Sequence, residues 1–482
     1  MDFFINDKNT LSVSGLYNRR DFTNNDFADN LYYNSKGDTS RYFLRGSESR
    51  SGNEGIEAAL NFTRKYSQKT KELTADVFYS YSDGNTDNDM AQFFIIPVHP
   101  ALGDKAMLQR TLSANRRDAL TAQTDFVTPV GSARLETGYK FSFSKSDMDY
   151  HFENYSYDLP AWQEDTNRSN NFVHSEMLHS VYLIYSRALT EKLYLQAGAR
   201  AEWAQTKADQ RTQDSVFTKN YFSLFPSAHI RYNFTDKNQV QLSYSRRINR
   251  PGASVLNPFI NYADPLNLSA GNPALNPEYS NSLELGLTLQ AGATTLNPSV
   301  FFRNTEGVIS RIMTVDEQQI SFTTYKNQDR VSAYGAEVIL AQQFFKWWRV
   351  NANFSFFRTE FKGPDVSSET ASNDSWTFRL NSMMTLPGIA DIQFGFNYNA
   401  PVVFTPSIRG FRAMMGGSQG RLDASYWADL GLKRDILEGR ATLSVRVRDL
   451  FNTQNYNITS YGENFVSVNK MSRESRVIFI GF

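Results

Sequence analysis

Histidines are the residues of this chain best suited to metal binding or acid–base chemistry. The chain has five of them: His99, His151, His174, His179 and His229. His174 and His179 are five positions apart, and on a strand this odd spacing sends them to opposite faces, about 16 Å apart, so they cannot share a metal ion. A serine hydrolase would need a serine and a histidine on adjacent strands, and serine is so frequent here that chance pairs are expected. The sequence also has no Walker-type loop and no zinc-spaced cluster, and it predicts neither an enzyme nor a cofactor.

The segment from 250 to 277 combines several prolines with side chains suited to a polar ligand. The prolines exclude a regular strand and predict an extended external loop of fixed shape. Its rings could stack on a glycan or a chelated metal, and its polar groups could hydrogen-bond the same ligand. In the alternative interpretation, proline and asparagine only make the loop rigid and cap it, while the rings pack on neighbouring loops. The candidate ligand-binding residues are Asn257, Phe259, Asn261, Tyr262, Asp264, Asn267 and Asn272.

A second set of charged residues falls on the polar side of alternating runs. In the run that begins at Gln239, Arg247 has the same parity as Gln241, whereas Val240 and Leu242 have the other parity. An inward charge fits a water-filled interior or a surface that docks a plug and steers a substrate. The alternative is a solvated wall in which Asp and Glu neutralise these charges. The predicted lumen-facing charges are Arg200, Glu202, Arg247, Arg446 and Arg448.

Long alternating runs are the elements that must position these side chains. From Glu72 the chain reads ELTADVFYSYS and from Lys192 it reads KLYLQAGARAEW, with apolar and polar residues alternating except at Phe78. A period of two residues shows hydrocarbon to lipid on one face of a strand and polar groups to a wet interior on the other. The pattern predicts an all-β protein, a transmembrane antiparallel β-barrel of the bacterial outer membrane.

Composition agrees with this prediction and excludes several other classes. The longest apolar stretches, such as 93–98, are far shorter than the roughly 20 residues of a membrane-spanning helix. Lys and Arg (50) balance Asp and Glu (50), so no basic field favours nucleic acid as a partner. Cysteine is absent, which excludes disulfides and cysteine metal sites. Aromatic residues make up 14% of the chain, and those that end apolar faces are predicted to form an interfacial girdle: Tyr79, Tyr81, Tyr185, Trp203 and Tyr244.

Connections between the runs alternate between short and long, which orients the strands. Outer-membrane barrels have short periplasmic turns and long external loops. The short turns are predicted at 7–9, 67–70, 129–131, 190–192, 235–238, 291–293, 346–347, 387–388 and 437–439. The long loops are predicted at 23–53, 83–105, 149–170, 249–277, 306–329, 401–420 and 452–472.

The strand count and the ends of the chain predict a partial barrel. One strand on each side of every short turn, plus the terminal run SRESRVIFIGF, gives about 19 strands, whereas bacterial barrels of one chain normally have an even number. Residues 1–482 are therefore expected to form one barrel domain without its first strands and without a plug. The chain ends on Phe482, as outer-membrane proteins commonly do, and nothing at its start resembles a signal peptide.

Two segments resemble a known family. Residues 244–287, YSRRINRPGASVLNPFINYADPLNLSAGNPALNPEYSNSLELGL, are similar to the central signature of Bacteroidetes-type TonB-dependent receptors with an outer-membrane β-barrel domain. Residues 426–457, which include DLFN at 449–452, resemble the last hairpin of that family. The resemblance implies a barrel of about 22 strands around an N-terminal plug domain, often preceded by a carboxypeptidase-regulatory-like domain. The chain departs from the family in having neither a plug-like segment nor an energy-coupling box near its start.

The resemblance implies transport rather than catalysis. Combined with its plug, the barrel would bind and import a bulky nutrient, which could be a glycan, a peptide or a metal chelate. The implied partners are outer-membrane lipid, the plug, the TonB energy-coupling complex that acts through the plug, and a surface lipoprotein. The alternative is a plugless passive porin or a surface-binding barrel. A soluble β-rich glycan-binding protein is disfavoured, because its strands would need polar outward faces.

Overall fold

The computed structural model describes residues 1–33, 36–68, 70–262, 267–318, 320–363, 372–404, 420–461, 466–472 and 474–482. Strands and the connections between them account for nearly all of these residues, and no plug domain is present among them. No helix in the described ranges is both long and apolar enough to cross a membrane. The chain is therefore all-β, as its alternating runs predict.

The strands of the first half are long and follow one another closely. They are β1 Asp2–Asn6, β2 Asn9–Tyr33, β3 Thr39–Lys65, β4 Glu72–Ile96, β5 Met107–Val130, β6 Ala133–Ser156, β7 Ala161–Glu164, β8 Asn170–Ala188, β9 Leu193–Gln210, β10 Ser215–Asn233, β11 Gln239–Asn249 and β12 Asn267–Ser269. A 3₁₀-helix lies at Arg211–Gln213 and a one-turn α-helix, α1, at Ala253–Leu256.

The second half continues the same arrangement. Its strands are β13 Glu278–Ala291, β14 Thr294–Val315, β15 Ser321–Phe345, β16 Trp348–Lys362, β17 Ser372–Leu386, β18 Ala390–Asn399, β19 Val402–Phe404, β20 Gly420–Leu422, β21 Ser425–Ile436, β22 Ala441–Arg448, β23 Asn455–Tyr461, β24 Val466–Ser472 and β25 Val477–Gly481. A second 3₁₀-helix lies at Leu437–Gly439. Each predicted short turn separates two of these strands.

The chain divides into two compact units. The first contains Met1–Leu183, Arg200–Leu224 and Gly252–Pro273, and the second contains Ile184–Ala199, Phe225–Pro251 and Ala274–Phe482. In the first unit, β1 to β6 pair antiparallel, each with the next along the chain. In the second unit, each strand of a similar series pairs antiparallel with the next member of the series: β11, β13 to β18, β21, β22 and β25.

The register of the second unit places one apolar and one polar row side by side. Directly opposed residues of an antiparallel pair lie on the same face, so a row can be followed from strand to strand. The apolar row contains Ile230, Leu242, Leu285, Val300, Ala336, Phe356 and Trp376. One residue away along every strand, the polar row contains Arg231, Gln241, Gly286, Ser299, Glu337, Ser355, Thr377 and Asn399.

The first unit has the same two faces. Its apolar row contains Val13, Leu60, Val77, Ala122 and Phe141, and its polar row contains Ser12, Asn61, Asp76, Gln123 and Lys140. The apolar rows are not a buried core, because the side chains of Val77 and Val300 are 44% and 52% exposed. A contiguous exposed apolar face is unstable in water and stable against hydrocarbon.

The predicted long loops are wrong in extent, because much of each is strand. Residues 23–33 and 39–53 belong to β2 and β3, and residues 83–96 belong to β4. Residues 149–156, 306–315 and 321–329 lie similarly in strands. A hydrogen-bonded ladder can continue beyond the membrane with both faces in water, and there the sequence has no apolar alternation to reveal it.

Candidate functional site

The polar face carries the predicted lumen charges. In β9, Arg200 Nε donates to Glu202 Oε1 at 2.8 Å, and the Glu202 side chain is only 4% exposed. Trp203, next in the chain, is exposed on the opposite, apolar parity. On the polar side of β9 Glu202 is thus buried while Arg200 is 48% exposed, and Trp203 on the apolar side lies open.

Arg446 lies in a polar recess on this face in the second unit. Register joins Gln393 of β18 to Gly431 of β21, and Gly431 to Arg446 of β22. Asn381 and Asp429 line the same recess. Arg448 and Arg247 are exposed on the polar parity of β22 and β11. Within the second unit the structure brings Arg446 close to amides and a carboxylate.

Residues 252–262 and 267–273 of the loop belong to the first unit. Val255 and Leu256 of α1 are buried. The backbone of Asn257 accepts from Gly271 N at 2.7 Å, and its Oδ1 accepts from Phe259 N at 3.2 Å. A β-carbon on Gly271 would lie 2.5 Å from the Asn257 carbonyl oxygen, so only glycine allows this approach. Asn257 therefore holds the loop together, as the rigid-loop interpretation proposes.

The remaining candidates of this loop differ in exposure. Asn261 and Asn267 are exposed, and Phe259, Tyr262 and Asn272 are half-buried. The rings of Phe259 and Tyr262 meet edge to face with centroids 6.5 Å apart, and the guanidinium of Arg168 lies 5.3 Å from the Tyr262 ring centroid. Asp264 lies outside the described residues. Asn261, Asn267 and the half-buried rings of Phe259 and Tyr262 are the part of the predicted ligand site that is accessible among the described residues.

A buried carboxylate organises the C-terminal end of β22. Asp449, the first residue of the DLFN segment, is fully buried. Its Oδ2 accepts from Ser475 Oγ at 2.5 Å and from Gln454 N at 2.9 Å, and its Oδ1 accepts from Thr453 N at 3.0 Å. Its own N–H donates to Asp429 Oδ1 at 2.9 Å. The motif that carries the family resemblance thus ties the end of β22 to the segment before β25.

Loops at the external end also pack on one another. Strands β19, β20, β23 and β24 pair into a separate four-stranded sheet. Ile458 of β23, 1% exposed, packs there against Leu422, Tyr456 and Met471. The small apolar core gives these connections a defined shape.

The histidines have separate environments. The ring centroids of His179 and Trp203 are 5.5 Å apart, and His179 Nδ1 lies 2.7 Å from Tyr139 Oη. His174 is buried. His151 Nδ1 lies 2.7 Å from Glu164 Oε1, and this hydrogen bond raises the pKa of His151 while it lowers the pKa of Glu164. No group of three or more His, Cys, Asp or Glu in the described ranges could hold a metal ion.

Predicted girdle residues end the apolar faces with polar contacts. Tyr79 Oη donates to Asp118 at 2.9 Å, Tyr244 Oη donates to Asn281 at 2.9 Å, and Trp203 is exposed. Rings with one wet end suit the boundary between hydrocarbon and water.

A recess at the ends of β3, β4 and β5 has no local signal in the sequence. Arg45 and Gln92, which face each other there, are 47 positions apart in the chain. Only the pairing register shows that they meet, and no local motif marks either residue. His99, a potential metal ligand in the sequence, lines this recess in the structure.

Solved structures of outer-membrane uptake proteins have a similar fold. The copper transporter OprC is 12% identical with a TM-score of 0.65, and the match covers 98% of this chain and 76% of that one. The ferric yersiniabactin uptake receptor FyuA from Yersinia pestis is 14% identical with a TM-score of 0.53, covering 99% and 76%. The ferric citrate transporter FecA is 11% identical with a TM-score of 0.55, covering 99% and 76%. At these identities the likeness is one of fold.

A sequence family matches most of the chain. The match spans residues 64–482 and carries the description of an outer-membrane β-barrel family. It agrees with the barrel-type fold and with the exposed apolar rows described above. The chain belongs to the outer membrane protein beta-barrel family.

Proposed function

We propose that this chain is the barrel of a TonB-dependent receptor, which binds a bulky nutrient outside the cell and imports it together with a plug domain. The observation that carries the proposal is the inward polar face, which has small and polar residues at successive strands and ends in folded external loops. Such a wall suits a wide wet lumen occupied by a plug.

Fold likeness supports the same function. The similar structures are named for transport of copper, ferric yersiniabactin and ferric citrate. Metal chelates are therefore one candidate class of cargo, beside the glycans and peptides that the sequence resemblance implies. The proposed partners are outer-membrane lipid, a plug, the TonB complex acting through it, and a surface lipoprotein.

Ligand capture is assigned to the external loops. In this proposal the accessible rings of Phe259 and Tyr262, with Asn261 beside them, contact the nutrient, and Asn257 and Gly271 keep the loop in shape. The charges Arg200, Glu202, Arg247, Arg446 and Arg448 face the lumen and contact the plug or steer the cargo.

The test separates active import from passive flow. Bacteria producing the receptor, with or without a functional TonB complex, are supplied with glycans, peptides or metal chelates as the limiting nutrient. We expect growth on one class to require both the receptor and TonB. Growth that requires the receptor but not TonB would instead support a passive porin. A passive porin would also let sugars enter liposomes that contain the chain, so these liposomes would swell in sugar solutions.

A further inference from the structure

A recess opens at the external ends of three neighbouring strands of the first unit. Its volume is about 410 Å³, within the range of small-molecule sites. The apolar part of its lining comes from Phe43 of β3, Phe94 and Ile96 of β4, Val98 beyond β4 and Met107 of β5. We call it the β3–β5 recess.

The β3–β5 recess belongs to the inward face. Register pairs Arg45 with Gln92 and Gln92 with Met107. Gln92 has the same parity on β4 as Asp76, a member of the polar row, and the intervening pairing of β4 with β3 and β5 has no register shift. A ligand on this face is inside the wall and near its external end.

The charge of the lining favours an anion. Among the described residues that line the recess, Arg41, Arg45 and Arg168 are cationic and none is acidic. Arg168 also pairs with Asp165, its Nε lying 3.5 Å from Asp165 Oδ2, so Arg41 is the main candidate for contact with a carboxylate. Arg45 is held in place, since its Nε and one terminal nitrogen donate to Gln92 Oε1 at 2.9 and 2.7 Å. A guanidinium recognises a carboxylate with directed, charge-assisted hydrogen bonds.

Among the described lining residues, two buried polar atoms have no hydrogen-bond partner, Gln109 Oε1 and His99 Nδ1. The Gln109 side chain is 2% exposed, and its Nε2 donates to Asn154 Oδ1 at 3.1 Å. Its Oε1 is buried and accepts no hydrogen bond in the structure. A buried carbonyl oxygen without a donor costs free energy, which a ligand N–H or O–H would recover.

We propose that the β3–β5 recess binds a small amphipathic carboxylate that carries an N–H or O–H donor. The apolar body lies against Phe43 and Phe94, the carboxylate meets Arg41 and Arg168, and the donor reaches Gln109 Oε1. This inference rests on the proposed function, because it names the chemistry of a cargo, or of one end of a cargo, on the receptor's inward face.

Simple probes test each of the three contacts. The complete chain in lipid nanodiscs, which avoid detergent in the recess, is titrated calorimetrically with N-acetyl-L-phenylalanine. The amide of that compound lacks the charge, 3-phenylpropanoate lacks the N–H, and N-acetylglycine lacks the apolar group. We expect each deletion to weaken binding at least about 5-fold. The tripeptide Ala-Ala-Phe separates two sources of the carboxylate. If it binds as tightly as N-acetyl-L-phenylalanine or more tightly, the ligand is a peptide C-terminus. If it binds more weakly, the ligand is a small free acid.

Variants tie the probes to the named residues. Arg41→Gln should lower the affinity for N-acetyl-L-phenylalanine about 10-fold and leave that for its amide unchanged. Gln109→Leu should remove the preference for N-acetyl-L-phenylalanine over 3-phenylpropanoate. Arg50→Gln is the matched control, since Arg50 lies on β3 with the opposite parity and pairs with Glu48 at 2.9 Å.

Two outcomes would overturn the inference. The first is equal binding of the acid and its amide. The second is no binding at millimolar probe by a chain that still shows the heat-dependent gel shift of a folded barrel. The uptake experiment is independent of these results. If the probe binds but growth does not depend on TonB, only the transport proposal is refuted. If growth depends on TonB but the probe does not bind, only the proposed ligand of the recess is refuted.

Discussion

The carboxylate of Asp449 is buried and has several hydrogen-bond partners. It accepts hydrogen bonds from two backbone N–H groups and from Ser475, so removing it leaves several buried donors unpaired. We expect Asp449→Ala to lower the free energy of unfolding by about 2–4 kcal/mol, and Asp449→Asn by less, because the amide keeps one acceptor. Urea unfolding in micelles, followed by the heat-dependent gel shift, measures this loss.

Asp435→Asn is the control for Asp449. Asp435 has an exposed hydrogen bond from Thr442 Oγ1 at 2.8 Å, so the same change there should cost less than about 0.5 kcal/mol. If Asp449→Asn and Asp435→Asn proved equally mild, the carboxylate would not organise this end of β22.

The His151–Glu164 pair predicts a pH dependence in the external extension of β6. The hydrogen bond with Glu164 raises the pKa of His151, so its stabilisation is present at low pH and is lost as the pH rises through the raised value. The hydrogen bond with His151 lowers the pKa of Glu164, so that contribution is lost in acid. The β6–β7 pairing should therefore be most protected near pH 5–6 and open more between about pH 6 and 8.

Hydrogen exchange of the backbone amides of β7 measures this opening. Both side chains are partly exposed, so the effect should be below about 1 kcal/mol. His151→Gln should make the exchange of β7 independent of pH after correction for the intrinsic rate. A wild-type profile that stays flat over this range would contradict the prediction.

At the residue scale, the sequence predicted the chemical character of a side chain's strand face better than the contacts that the side chain makes. Arg446 and Glu202 could be assigned to the polar face, because a period of two is visible along one strand. Asn257 holds its own loop because its carbonyl oxygen accepts from the backbone N–H of Gly271, 14 positions away. The sequence does not show that these two backbones meet. The Arg45–Gln92 pair was likewise missed, since strand register is not encoded locally.

At the scale of elements, the alternating runs and short turns were predicted correctly, and the strand lengths were not. The turn chemistry near Gly131 and Gly292 marks two of the short turns, because both glycines adopt positive φ. The opposite ends of β2, β3 and β4 run on in segments such as NNDFADN, where both faces are polar. Solvated ladders have no hydrophobic period, so their ends could not be located.

The loop from 250 to 277 gives a prediction at the same scale. Gly271→Ala would place a methyl group against the backbone of Asn257, which must move, and α1 would separate from its support. Hydrogen exchange or limited proteolysis of residues 253–272 should increase by about 10-fold or more. Gly252→Ala is the control, because its β-carbon would have no heavy atom within 4 Å.

An unchanged exchange rate in Gly271→Ala would show that this loop tolerates a different path. If the loop instead opens and import of the nutrient falls with it, the external-loop part of the proposed function gains support. Loss of loop structure with full import would remove Phe259 and Tyr262 from the ligand-binding proposal.

At the scale of the whole molecule, two faces of opposite character explain how a chain of negative mean hydropathy belongs in a membrane. Half of the residues in each spanning segment meet water or other protein, so the average composition is polar although the outer rows are not. This division was predictable from Leu193 to Trp203 and from Glu72 to Ser82 alone. The strand number of the complete barrel stays a prediction, because no local pattern counts strands.

The apolar row of the second unit provides the test of membrane insertion. Val300 pairs with Leu285 and Ala336, and an arginine in its place would put a charge among side chains that face hydrocarbon. We expect Val300→Arg to lower the free energy of unfolding from bilayers by about 2 kcal/mol or more and to reduce assembly in the outer membrane. Ser299→Arg, one position away and opposite Glu337 on the polar row, adds the same charge to the wet face and should change stability by less than about 0.5 kcal/mol. Urea titration of both variants in lipid vesicles compares the two faces directly. The two sites are adjacent on β14. If both variants lost the same free energy of unfolding, the two rows would face the same solvent, and the proposed membrane orientation of the wall would be wrong.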